Sequence, residues 1–467
     1  MSGPAGATQP LSSGAALSEA EARYAALVSD LAAPPEARDH AAETRFESRD
    51  PDLQITDLRI ALMKLGRPED AAAQATVLRA QPDGRRLGIT LMSGDITFAD
   101  LLAALPRMSD TALASGGLSV PLIIEQGASL LVGPGDALRL DRGTGAFIVN
   151  FGTLHVVGGS IAATGHANNP APDFAPFIAT AGQGVMMIED AHVTGLGFGH
   201  APTYAGLSVM VSGLYRPKAP SRVTGTTFRD TGSLSLSGGA DALIADNVFD
   251  KGRSSDLILR GTDRARVLRN TFVDGQAGDA IRLSDHATAT RIAGNAIYRP
   301  RNSGISIADG SHGTDLRDTV IWRPRHHGVL ARESDCLSLT GMRILAPRHE
   351  GILLRGTRQA SIVDTDMIGS GHAGLMIADQ PEFARTRIAG NRFAMNRTGI
   401  ETAAPGHLDL TGNDFSDQFP RFLAGDIQLL TPVVMRDLRG EAPFVLAAGG
   451  IDRTLPPPAT CTQYEDS

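Results

Sequence analysis

Lysine is nearly absent from this 467-residue chain: only Lys64, Lys218 and Lys251 occur, so almost every cation is an arginine. Arginine is the better bidentate partner for carboxylates, and a lysine-poor, arginine-rich balance suits recognition of anionic groups. Aromatic residues make up only 5%, which argues against a large conventional core built on rings. The two cysteines, Cys336 and Cys461, form no disulfide framework and show no metal-ligand spacing. No apolar run approaches the length needed to span a bilayer, which excludes membrane insertion by a helix. The first residues carry neither a basic segment nor an apolar one, so no signal peptide is expected. A net charge of −8 lacks the basic footprint of a general nucleic-acid binder.

What the chain has instead is glycine, 52 residues of it, and a recurrence of about 24 residues between 220 and 415, a signature of stacked units. Endings of one type return as Asn247-Val248-Phe249, Asn270-Thr271-Phe272, Asn295-Ala296-Ile297, Asp318-Thr319-Val320, Asp366-Met367-Ile368, Asn391-Arg392-Phe393 and Asn413-Asp414-Phe415. Between them lies a second series, Gly304-Ile305, Gly328-Val329, Gly351-Ile352, Gly374-Leu375 and Gly399-Ile400. Short apolar runs separated by Gly, Asn and Asp read as strands of a coil. The expected fold is all-β: a right-handed parallel β-helix of roughly 12–13 coils, since parallel crossovers take that hand. Leucine-rich repeats would require a Leu-x-x-Leu-x-Leu pattern that is missing.

Residues 1–15 read as a disordered tail, and 16–106 as a helical region that ends in a cap for the stack. Helices are expected over 20–31, behind a Ser18–Glu21 capping box, and over 56–65 and 68–79. A short amphipathic helix over 98–105 would plug the open end of the solenoid, as terminal repeats require. The β-helix is expected over 107–425, and 426–467 as an irregular tail.

Stacking turns sequence columns into spatial ladders with neighbours ~4.8 Å apart. One column reads Gly261, Asp285, Asp309, Glu333, Gly356, Asp379, and beside it runs Arg260, Ser284, Ala308, Arg332, Arg355, Ala378. Ahead of the glycines come Asn302, His326, His349 and His372, preceded by Arg301, Arg325 and Arg348. Between 299 and 358 ten arginines stand against six acids. A long groove lined by one sign of charge focuses an extended polyanion. Arg301, Arg325, Arg355, His326, His349 and Glu333 are its candidate binding residues.

At these positions the chain resembles the bacterial mannuronan C-5 epimerases that act on alginate during export. The residues that carry the resemblance are Gly304 to Gly313, containing Asp309, Ser311 and His312, and His327-Gly328 followed by Arg332-Glu333. That family has an Asp-Pro-His-Asp motif, then Ser-His-Gly, then His-Gly and Arg-Glu one coil later. Its last Asp falls on Asp309, while its His falls on Ala308. The resemblance covers about 90–430 and implies a β-helix with a polyuronate groove, an anionic polysaccharide as substrate, no cofactor, a periplasmic location and export-complex proteins as partners. It assigns Arg332 to neutralise the substrate carboxylate, so that charge can develop as C-5 loses its proton. With Ala308 in place of the motif's His, the base is expected among His312, His326 and His327, because neutral imidazole is basic enough near pH 7. Asp309, Arg332, His312 and His327 are the candidate catalytic residues.

Overall fold

The computed structural model describes residues 12–32, 49–65, 70–84, 86–114, 117–199, 201–211, 216–441, 444–447 and 450–452. Each coil contributes three short strands, one to each of three parallel ladders that wrap a single apolar interior. In one coil these are Leu257–Arg260 on the first face, Arg266–Leu268 on the second and Thr271–Val273 on the third. Registers run without slippage down the first face: Leu257 pairs with Ile281, Ile281 with Ile305, Ile305 with Val329, and Val329 with Ile352. Alternation within each strand sends Leu257 and Leu259 inward and Ile258 and Arg260 outward, as a period of two requires. The solenoid begins earlier than the sequence suggests. Strand β2 (Leu87–Thr97) already pairs in parallel with the next coil, so the first coil starts at Leu87 rather than near 107.

Identical residues stacked inside a parallel coil satisfy one another. Phe228, Phe249 and Phe272 stack with centroids 4.7 and 4.8 Å apart, in offset geometry that rings favour. The Asn247 side-chain amide donates to Asn270 at 2.9 Å and Asn270 donates to Asn295 at 3.1 Å, so each buried amide finds a partner one coil on. The expected continuation through Asp318 and Asp366 is off by one residue. Asn295 is followed in this ladder by Thr319, whose hydroxyl accepts the Asn295 backbone N–H at 3.3 Å, and further along the buried position is Thr365. Asp318 instead stands exposed at a corner with a positive φ of 46°.

Helices cover parts of this prism. Helix α1 (Ser13–Ala32) starts well before the anticipated capping box, since Ser12 already caps it by accepting the Ala15 N–H. The stretch 13–15 is therefore helix, not tail, while 1–11 lie outside the described residues. Helix α1 straps the third face: Ala16, Ala20 and Tyr24 pack on Tyr298, Trp322, Leu345, Ile368 and Ala394. Twenty residues at 1.5 Å each span ~30 Å, about six coil steps. The helix expected over 56–65 is present as α2 (Leu58–Leu65); its first two residues belong instead to strand β1 (Arg49–Asp57), which pairs antiparallel with β2. Helix α3 occupies Ala71–Arg79. Helix α4 (Phe98–Met108), capped by Thr97, buries Phe98, Leu101 and Leu105 at the end of the stack, in the place foreseen for a plug. The C-terminal region is less irregular than anticipated, with α5 (Thr431–Arg436) and strands Phe444–Ala447 and Gly450–Asp452; the triple proline lies outside the described residues.

Candidate functional site

In the coils between 279 and 379 no helix among the described residues covers the first face. Its outward residues are Arg282, Ser306, Leu330 and Leu353 in one column and Arg260, Ser284, Arg332 and Arg355 in the other. Two corners border it, and they are built differently.

At the corner that leads out of the first face, arginines and acids are arranged as rungs across successive coils. Arg260 donates to Asp285 in the next coil at 2.6 Å, and Arg355 pairs with Asp379 in the next coil at 2.6 Å. Applied to the coils between them, this rule produces vacancies. Asp309 would need a cation at Ser284, and Glu333 one at Ala308; neither has it. Arg332 would need an acid at 356, where the chain has Gly356. Among the described residues Arg332, Asp309 and Glu333 accordingly form no ion pair, and all three are exposed. Two free acids and one free guanidinium lie in adjacent coils, between two neutralised rungs.

Imidazoles flank this gap. His312, one of the expected bases, accepts the Asp335 backbone N–H on Nδ1 at 2.8 Å. In its neutral form the proton must then sit on Nε2, which makes that atom a donor. His286 was not singled out from the sequence, because the column reading stopped at the acidic position just before it. Its ring is exposed and lies against Gly310, next to Asp309: a Cβ on Gly310 would come within 3.0 Å of His286 Cδ2 and Nε2. The glycine leaves room for that ring.

At the opposite corner, where the chain enters the first face, the repeated Arg-Pro-Arg segments divide their labour. The first arginine of each holds the strap. Arg299 donates to the Tyr24 hydroxyl at 2.6 Å, and Arg323 lies 3.6 Å from Glu21 and 4.5 Å from the centre of the Trp322 ring. The second arginines, Arg301 and Arg325, with Arg348 one coil further, are exposed and unpaired among the described residues. Their backbones are laddered, Arg325 N–H to Pro300 at 3.1 Å and Arg348 N–H to Pro324 at 3.0 Å, so the guanidinium groups repeat at the coil spacing.

Beside them stands the histidine ladder. His326 stacks on His349 with ring centres 5.0 Å apart, and His349 lies 5.0 Å from His372. Glu350 reaches between two rings, with His327 Nδ1 at 2.9 Å from one oxygen and His372 Nδ1 at 3.3 Å from the other. Burial pushes the Glu350 carboxyl up, but the hydrogen bond from His327 and the nearby imidazoles outweigh it and hold its pKa at about 2. His349 is pushed down from the usual imidazole range by burial and by its neighbours His326, His327 and His372. His349, Glu350 and His372 place their donor atoms within 4.8 Å of one another, a set that could hold a metal. The sequence shows no such spacing because its members come from two different coils.

The structure thus separates residues that the sequence grouped. Asp309, Arg332, Glu333, Arg355 and His312 share one corner. His327 lies five residues before Arg332 in the same coil, roughly 16 Å along an extended strand, and sits with His326, His349, Arg301 and Arg325 at the other. Next to Asp335, Cys336 is disulfide-bonded.

Comparison with known proteins agrees with this architecture. A family model described as "Right handed beta helix region" matches residues 279–424. Among solved structures, the chain is similar to the periplasmic alginate epimerase AlgG, at 16% identity, covering 84% of this chain and 97% of that one with a TM-score of 0.65. A mutant form of AlgG matches at 17% identity, 84% and 97% coverage and a TM-score of 0.64. The Azotobacter vinelandii mannuronan C-5 epimerase AlgE4 A-module matches at 13% identity, 69% and 91% coverage and a TM-score of 0.41. No curated protein matches the sequence. At this level of identity, what the chain shares with alginate epimerases is a fold, the right-handed parallel β-helix.

Proposed function

We propose that this protein modifies an anionic polysaccharide, and that it acts as a mannuronan-type C-5 epimerase on a polyuronate chain lying along the open first face. One observation carries the reading: Arg332 is an exposed guanidinium, unpaired among the described residues because Gly356 replaces the acid that neutralises the equivalent arginines. Likeness in fold to the periplasmic alginate epimerase AlgG supports the choice of polymer.

The proton on C-5 is acidic only because it adjoins a carboxylate. Arg332 pairs bidentately with that carboxylate and stabilises the negative charge that builds on it as the C–H bond breaks. His286, whose imidazole has no partner among the described residues, takes the proton. His312, with its proton fixed on Nε2, returns one to the other face of the carbon. Asp309 and Glu333 accept hydrogen bonds from sugar hydroxyls. Across the groove, Arg301, Arg325 and Arg348 hold further carboxylates of the same chain. A disulfide at Cys336 belongs to an oxidising compartment, which supports a periplasmic location.

The position of Ala308, where the resembling family has its His, favours a second reading: a non-catalytic polyuronate-binding scaffold, of the kind an export complex could use. Proton NMR of polymannuronate incubated with the protein in deuterated water separates the two. The epimerase reading expects deuterium at C-5 and new guluronate signals without chain cleavage, both lost in His286→Ala and Arg332→Ala. Binding without exchange would establish the scaffold instead, and new unsaturated ends would establish a lyase.

A further inference from the structure

We propose that the corner cluster of His349, Glu350 and His372 is a binding site for a divalent first-row transition ion of the Zn2+ type, independent of the polymer the groove takes. Its argument begins in the backbone. The His372 N–H bonds to the His349 carbonyl and the His349 N–H to the His326 carbonyl, each at 3.2 Å. This parallel ladder fixes the histidines one coil apart on the same side, with His326 stacked on His349 and the His372 ring tilted by 53° to His349, each pair with centres 5.0 Å apart. Glu350, next in sequence to His349, turns its carboxylate back toward the ladder. Its two oxygens are not equivalent. Oε2 lies 2.9 Å from His327 Nδ1, while Oε1 faces His372 Nδ1 at 3.3 Å. A carboxylate anchored through one oxygen and presenting the other is how ligating carboxylates are oriented around a metal.

The donor chemistry selects the ion. Two imidazoles and one carboxylate suit Zn2+ and its neighbours, whereas Ca2+ and Mg2+ demand shells of oxygen that a single carboxylate cannot supply. Donors bonded at about 2.1 Å in a tetrahedron lie roughly 3.4 Å apart. The three here fall within 4.8 Å, and His372, about half exposed at 49%, is free to rotate and close the remainder. Three protein ligands leave a fourth position open to water or to a carboxylate in the groove.

The test uses untagged, full-length protein treated with a chelator and titrated with Co2+, then with Zn2+ as competitor. The expected result is one Co2+ per chain with the visible absorption of a low-coordinate ion, displaced by Zn2+, and a dissociation constant for Zn2+ below about 10 μM. Glu350→Gln and His372→Ala should each weaken binding at least tenfold, and His286→Ala, an imidazole at the other corner, should leave it unchanged. The half-exposed His372 variant guards against misfolding, checked by an unaltered thermal melt. Zn2+ binding weaker than 10 μM, a stoichiometry other than one, or equal binding by the His372 variant would overturn the site.

Discussion

One face of the solenoid is treated in opposite ways along its length. In the early coils its outward residues are apolar: Ile123, Val149 and Ala179 lie under a roof made by Leu58 and Leu62 of α2, Val77 of α3, and the loop residues Phe174, Phe177 and Tyr204. In the coils from 279 onward the same column carries Arg282, Ser306, Leu330 and Leu353, the neighbouring outward column carries Arg332 and Arg355, and no helix among the described residues covers them. The backbone ladder is the same in both. What differs is only the outward half of each strand, the half that the inner core does not constrain. A β-helix can therefore dedicate one stretch of a face to stability and another to chemistry without altering its fold.

The sharpest way to break this contrast is to cut the roof. Phe177 is fully buried, stacked on Phe147 at 4.8 Å and edge-on to Tyr204 at 4.9 Å. Phe177→Ala should cost about 4 kcal/mol of stability, measured by denaturant unfolding, yet leave turnover per folded molecule unchanged at low temperature. Arg332→Ala is its mirror image. It should leave the melting temperature where it is and lower deuterium incorporation at C-5 by 10²- to 10³-fold, the usual loss when one charge-stabilising donor is removed. Arg355→Ala, which breaks an already neutralised rung, should change the rate less than threefold.

A milder test restores the missing acid. Asp285, Asp309 and Asp379 occupy this corner with φ values of 53°, 54° and 49°, and Gly356 has a φ of 63°. The corner thus accepts Asp, whose short side chain tolerates the left-handed region. A Cβ at 356 would make only an ordinary 3.5 Å contact with Glu333. Gly356→Asp should pair Arg332 as Asp379 pairs Arg355, and reduce activity about tenfold, at a stability cost of about 1 kcal/mol for a side chain at positive φ. Smaller again is the effect expected at the far corner. Replacing Arg301, Arg325 and Arg348 together by Gln should raise KM several-fold and flatten its dependence on salt, with kcat retained, because these exposed cations act through screened attraction.

How much of this could be read from the chain follows from the geometry. The parallel coil repeats so regularly that the columns through Arg260, Arg332 and Arg355 and through Asp285, Asp309 and Glu333 could be aligned from sequence alone. The alignment slipped where an element varied in length. Thr319 took over the ladder position of Asn295, and a column drawn through Asp318 followed the more polar residue instead of the buried one. Helix α1 was placed too late because Ser12 caps it and Ser18 does not. Pairing was beyond reach: that Arg332 is free depends on a contact rule between coils, Arg to the acid of the next coil, which no single column displays. His286 and the His349–Glu350–His372 cluster were hidden for the same reason, since their meaning lies across coils and in which way each side chain turns.

Acid provides the finest probe of the contrast, because the roofed stretch is held by groups such as Leu62 and Phe177 that do not titrate, and the open stretch by some that do. Glu350 is held at about 2, below the ordinary 4.5. Its folded pKa is depressed, so its contribution to stability is complete above pH 4.5 and disappears as the pH falls toward 2. His349 is also depressed, below 6.5, through burial and then His326, His327 and His372. It resists charging in the folded state, so it too makes the protein less stable as the pH drops below 6.5. Both slopes have the same sign and belong to one corner. Hydrogen exchange followed from pH 6.5 downward should therefore show protection lost first around 326–372, while the amides of 122–124 and 178–181 stay protected. Glu350→Gln should remove the component between pH 4.5 and 2, lowering the melting temperature by a few degrees at pH 7, by less at pH 3 and not at all near pH 2. Equal loss in both stretches, or a Glu350→Gln profile that follows the parent protein through that interval, would mean that acid acts on the solenoid as a whole and not at the histidine corner.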